Sequence, residues 1–248
     1  MAEKINSLSI HKLAERTFFD NLKPFLFFAG LFMALSLLLE LIFGPKSEHI
    51  GYELLSYLLY AKLAVLVHRT VLLNEKDVIH VFKWGYPEII YMLAIIAVII
   101  AIVAFTAVIT MLLLAISPSG SVPISNPEII SVVFYVLVFG LLAFLGARIA
   151  LVFPSIAIGQ AFTLREIWQK TKPYTLTVFW LVIIFPILAN VVPAVIFFLP
   201  FPEWVLNILA QPVYALIVIY CITLLSHCYQ EIMGEPEENN NPSKEVEI

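Results

Sequence analysis

The sequence predicts an all-α polytopic membrane bundle: six transmembrane helices accompanied by interfacial amphipathic helices. Three observations predict it. Of 248 residues, 61% are hydrophobic and only 13% charged, with a mean hydropathy of +0.97; a soluble domain carries about twice that share of charge. Six stretches, residues 24–43, 50–73, 89–116, 128–152, 175–199 and 204–230, reach the roughly 20 apolar residues that cross a hydrocarbon core. Their apolarity is continuous rather than alternating, which excludes barrel strands, so helices must satisfy the backbone inside lipid. Finally, Lys and Arg fall almost entirely on alternate connections.

The first segment, before residue 24, holds Lys4, Lys12, Arg16 and Lys23. It also contains Glu3, Glu15 and Asp20, and no small-x-small site follows the first apolar run, so that run is not expected to be a secretory signal. The second connection holds Arg69, Lys76 and Lys83, the fourth Arg148, Arg165, Lys170 and Lys172, and the tail Lys244. These make twelve cations on one side, against Lys46 on the other and Lys62 within a span. The positive-inside rule then places both termini in the cytoplasm.

Thr163-Leu164-Arg165-Glu166 is a capping-box pattern that opens a short helix. Leu164, Ile167, Trp168 and Thr171 form its apolar stripe, and Arg165, Gln169, Lys170 and Lys172 its polar face. Such a helix lies in the bilayer interface, with Trp168 at headgroup depth. Pro173 interrupts the backbone before the next span. Aligning Ser9, Asp77 and Thr163 as caps pairs Ile10/Val78/Leu164, Leu13/Val81/Ile167 and Ala14/Phe82/Trp168. Pro87 and Pro173 both follow their caps by ten residues, and Arg69 and Arg148 both close spans, with His227 in the comparable place. One six-helix domain, 1–230, is therefore expected to contain three units of interfacial helix plus hairpin, 9–73, 77–152 and 163–230. The uncharged external loop 117–127 is rich in turn formers. Residues 231–248, with six Glu, one Lys and three consecutive Asn, read as a disordered acidic tail.

An ionisable group deep in lipid costs roughly 3 kcal/mol or more and needs a partner, a water cavity or a function. Lys62 stands about halfway along the second span, with Arg69 seven residues later on the same face. Two readings apply. Lys62 lines a polar crevice, paired with Glu40, Glu53 or an anionic ligand; or it snorkels along its helix or forms a structural ion pair. Asn190, Asn207 and Gln211 share a depth in the last two spans near Pro186, Pro193 and Pro212, each of which frees a carbonyl four residues earlier. Structural interhelical bonding and a substrate site in broken helices both fit. Ala143, Gly146, Ala147 and Ala150 offer close packing in the fourth span.

No enzyme signature emerges. The histidines are dispersed, with His68 and His227 at inner span ends, and neither a metal spacing, a phosphate loop nor Gly-x-Ser-x-Gly occurs. No cofactor is expected. Cys221 and Cys228, seven apart on one helix, read as packing residues. Basic inner connections suit anionic headgroups, and a net charge of −4 does not suggest nucleic acid. Membrane lipids, and a membrane-protein partner or a second copy, are the expected partners.

Residues 147–154 (ARIALVFP) and 162–168 (FTLREIW) resemble the YciC-like bacterial inner-membrane proteins and the membrane region attached to some glycerophosphodiester phosphodiesterases, and 66–73 (LVHRTVLL) has the same character. The resemblance implies a six-helix inner-membrane fold linked to lipid or envelope physiology. It carries over no catalytic residue: His68-Arg69 matches the start of the phosphodiesterase His-Arg-Gly motif, but Thr70 replaces the glycine and no Glu-Asn-Thr follows. The leading expectation is thus a non-enzymatic lipid- or partner-binding membrane module. The alternative is a small-solute transporter or channel with a polar crevice around Lys62.

Overall fold

A computed structural model describes residues 6–44, 50–76, 83–116, 127–160 and 162–234. Asp77 with its stripe, Lys46, residues 117–126 of the expected external loop and residues 235–248 of the expected tail lie outside the described residues, whereas residues 231–233, expected in that tail, are helical, because the last helix runs on to Met233. Among those described, the chain is helical throughout, with six helices long and apolar enough to cross a membrane.

Asn6 caps α1 (Ser7–Asp20), its side chain accepting from Leu8 N–H at 3.0 Å. The expected cap was Ser9; instead Ser9 Oγ donates to the Asn6 carbonyl at 2.7 Å. Asn6 wins because its β-region backbone leaves its carboxamide facing the free amides, while Ser9 already has helical geometry. From α1 the chain enters α2 (Leu22–Phe43) and α3 (Ile50–Leu72). α3 ends where Asn74 turns left-handed, at φ 55°. There Thr70 Oγ1 donates to the Leu66 and Glu75 carbonyls at 2.8 and 3.0 Å.

α4 (Tyr86–Ile116) and α5 (Pro127–Ile149) follow in the chain, α4 packing against α3 and α5 against α7 and the fifth span. Pro154 has no N–H for the Ala150 carbonyl, so the fourth span breaks there and restarts as α6 (Val152–Ala157). α6 is wedged against α3, α4 and α11, and Gly159 (φ 72°) turns the chain away from it. α7 (Leu164–Thr171) follows with the predicted capping box complete: Thr163 N–H donates to Glu166 at 2.8 Å, and Glu166 N–H to Thr163 Oγ1 at 3.3 Å. A 3₁₀ turn around Pro173, Lys172–Tyr174, joins it to the fifth span.

That span is not one regular helix. It runs through α8 (Thr175–Phe179), a π segment (Trp180–Ile184), α9 (Phe185–Ala189) and α10 (Val191–Ile196). Pro186 cannot bond back four residues, and the wider π turn absorbs the defect: Phe185 N–H reaches the Trp180 carbonyl. α11 (Glu203–Met233) closes the fold and carries Pro212 in its interior.

α3 and α11 are the axis of the bundle. α3 packs against α2, α4, α6 and α11, and every residue from Ala61 to His68 is buried. Small Ala61 and Ala64 let the backbones approach, which matters because packing rather than water exclusion holds helices together in lipid. One cluster joins Phe25, Phe28, Val65 and Ile219; a second joins Ile10, Leu151, Ile167, Leu181 and Tyr229. Large apolar side chains such as Leu41, Ile100, Val103 and Phe198 remain outward, as lipid-facing positions require.

Candidate functional site

Lys62 is buried, and its carboxylate partner is Glu88 rather than Glu40 or Glu53. Nζ lies 2.6 Å from Glu88 Oε1, with side chains 7% and 8% exposed, and also donates to the Lys83 carbonyl. Glu88 stands in the first turn of α4, where its other oxygen accepts the Gly85 amide at 3.0 Å. A carboxylate there satisfies a free helix donor and faces the positive end of the helix. Trp84 adds its ring face 5.3 Å from Nζ. Glu40 sits half-buried near the far end of α2, and Glu53 is exposed in the first turn of α3. Both are too distant along their helices to serve Lys62, whereas the segment entering α4 folds back onto it.

Arg69 shares the Lys62 face, as predicted, and borders a small polar recess with Lys83, Trp84 and Glu88. Its guanidinium is held bidentately by Glu75, at 2.8 Å twice, which closes the end of α3. Above it, Lys62 lines an apolar cavity of about 350 Å³ with Phe28, Leu31, Phe32, Leu35 and Trp84.

A second cavity, about 420 Å³, lies between the two halves of the chain. Tyr60, Tyr91, Ile95, Ala150, Phe153, Val182, Pro186, Ile217 and Ile222 form its wall, and Asn190 and Cys221 reach its edge. Asn190 Nδ2 donates to the Pro186 carbonyl at 2.7 Å, so the amide dresses the proline-broken segment. Asn207 is exposed and Gln211 half-buried; neither lines a cavity with Asn190.

The ends of α5 and α11 meet α7. Arg148 lies with its guanidinium 3.6 Å over the Trp168 ring and donates through Nη2 to the Trp168 carbonyl at 2.5 Å. Arg165 is exposed one turn before Trp168. Lys170 points elsewhere: it donates to the Met233 carbonyl at 3.2 Å and sits 5.4 Å over Phe162. Measured from the observed caps, Asn6 and Thr163, the buried positions of α1 and α7 coincide at four and eight residues on, namely Ile10 and Ala14, then Ile167 and Thr171. The earlier alignment on Ser9 is thereby shifted by three residues.

His68, expected at a span end, is completely buried. Ser226 Oγ donates to the Ile222 carbonyl at 2.9 Å and is hydrogen-bonded to His68 Nδ1 at 2.7 Å, and His68 Nε2 is hydrogen-bonded to the Tyr91 hydroxyl at 3.3 Å. No sequence motif joins residues 68, 91 and 226; only the packing of α3, α4 and α11 does. Cys228 is buried and Cys221 half-buried, both as free thiols. Among the described residues, no three His, Cys, Asp or Glu side chains converge as a metal site would require. Comparisons with protein-family models, with curated proteins and with solved structures return no match.

Proposed function

We propose that this protein is a non-enzymatic module of the bacterial inner membrane that binds a membrane lipid. Its basic end, with both termini, faces the cytoplasm, and its three units are copies of interfacial helix plus hairpin. The observation that carries the reading is the 420 Å³ cavity. Its volume falls in the range of ligand pockets, about 300–1,000 Å³, and its walls are apolar with a few polar tips. It lies at the depth of the spans, where an acyl chain is the abundant apolar molecule. The resemblance to YciC-like proteins points to the same physiology. Native mass spectrometry of the protein in mild detergent tests this. A phospholipid should stay bound to the wild type and be lost from Ile217→Trp, whose indole fills the cavity. A wild type stripped of lipid, or a stoichiometric protein partner in its place, would sink the reading.

A small-solute transporter or channel is the second reading, favoured by the break at Trp180–Ile184 and Pro186 beside the same cavity. Transporters often bind substrate where spans are interrupted. Solute flux into proteoliposomes that Ile217→Trp blocks would establish it.

A further inference from the structure

Among the described residues, Arg148 is a buried cation without an anion. It is 9% exposed, its Nε has no hydrogen-bond partner, and its one acceptor is the uncharged Trp168 carbonyl. Among the described residues no carboxylate lies within ion-pair distance of it, in contrast to Lys62 with Glu88 and Arg69 with Glu75. Arginine cannot discard its proton to relieve such burial. An uncompensated buried charge is costly enough that these groups are found paired. Among the described residues, therefore, no side chain supplies an anion at this point.

The surroundings say what kind of anion fits. Arg148 Cζ lies 3.6 Å over the Trp168 ring and Nη2 donates to the Trp168 carbonyl, while Nε has no partner, so the guanidinium keeps donors that a phosphate's oxygens accept well. Arg165, exposed on α7 one helical turn before Trp168, is a second cation on the same short helix. On that face of α7, Leu164 is 62% and Trp168 36% exposed, an apolar pair presented outward at a polar helix end. An indole and a leucine beside two arginines match the bilayer interface, with headgroup above and acyl chains below.

We propose that Arg148, held flat by Trp168 and seconded by Arg165, binds the phosphate of an anionic membrane lipid. The proposal deepens the lipid-binding reading and rests on it, while placing headgroup recognition at α5 and α7, apart from the central cavity. Lys170, committed to the Met233 carbonyl on another face, is outside the site.

The test is thermal unfolding of the full chain in neutral detergent, titrated with phosphatidylglycerol, phosphatidylcholine or inorganic phosphate. A bound ligand raises the midpoint by mass action. Phosphatidylglycerol should stabilise the wild type and Lys172→Gln alike. Arg148→Gln should need about tenfold or more lipid for the same shift, the effect of losing a charge-assisted contact. Arg148→Lys, which keeps the charge but not the planar fork, should fall between. Should Arg148→Gln fail to fold, Arg165→Gln and Trp168→Leu carry the same expectation in weaker form. An Arg148-dependent shift with inorganic phosphate alone would support the site and name free phosphate as its ligand. An equal shift in wild type and Arg148→Gln would overturn the proposal. Lipid retention sensitive to Ile217→Trp but not to Arg148→Gln would also overturn it, while leaving the cavity reading intact.

Discussion

Lys62 illustrates how a single residue announces itself without naming its partner. A lysine in the middle of an apolar helix requires compensation, and that much follows from its cost in lipid. Glu88, 26 positions away, lies at the start of the next span, where a carboxylate is also explained by helix capping alone. Both functions meet in one side chain. Removing either partner leaves a buried charge, so Lys62→Met and Glu88→Leu should each destabilise the protein by about 3–5 kcal/mol, and the double substitution should recover most of it. Denaturant unfolding in detergent measures this. Losses in the double variant that equal the sum of the singles would mean the two residues act separately. At α1, His11 packs edge-on to Phe185 and lies 3.4 Å from the Tyr220 hydroxyl. Partial burial holds its pKa below the ordinary 6.5. Its folded value is the depressed one, so its contribution is complete above 6.5 and is lost as pH falls through the lower value. Hydrogen-exchange protection over residues 7–20, corrected for the intrinsic pH dependence of amide exchange, should therefore fall on acidification, and His11→Gln should flatten that dependence.

At the scale of elements, local sequence works where the determinants are local. The capping box of α7 is complete within four residues, and its geometry matches expectation. Thr163→Ala should cost the helix about 1 kcal/mol, read as faster amide exchange at residues 164–168 with little change elsewhere. Slow exchange unaltered by the substitution would show that packing of Ile167 and Thr171 alone holds α7. The cap of α1 was misplaced because two polar residues, Asn6 and Ser9, stand one turn apart, and only the backbone angles decide between them. The fifth span tells a different story. Pro186 predicts a defect, but not its form: the chain widens to a π turn, and Asn190 covers the Pro186 carbonyl. Which repair is used depends on the neighbours the span packs against, α5 and α11.

For the whole molecule, composition and run length are enough to predict a multi-pass helical membrane bundle and the number of its apolar helices. The reason is that lipid imposes its requirement on every residue of a span at once, so composition and run length suffice. The sequence also marked Lys62, Arg69 and Arg148 as residues in need of an explanation. Their partners emerge only from the packed bundle: Glu88 for the first, Glu75 for the second, and no carboxylate among the described residues for the third. The His68–Ser226–Tyr91 network and the central cavity belong to the same category. Each joins groups from helices far apart in the chain, and a periodic apolar pattern constrains a helix's outward faces far more than which helix lies against it. Inside lipid that choice is made by shape, small residues and a few hydrogen bonds, all of which take their meaning from the assembled bundle.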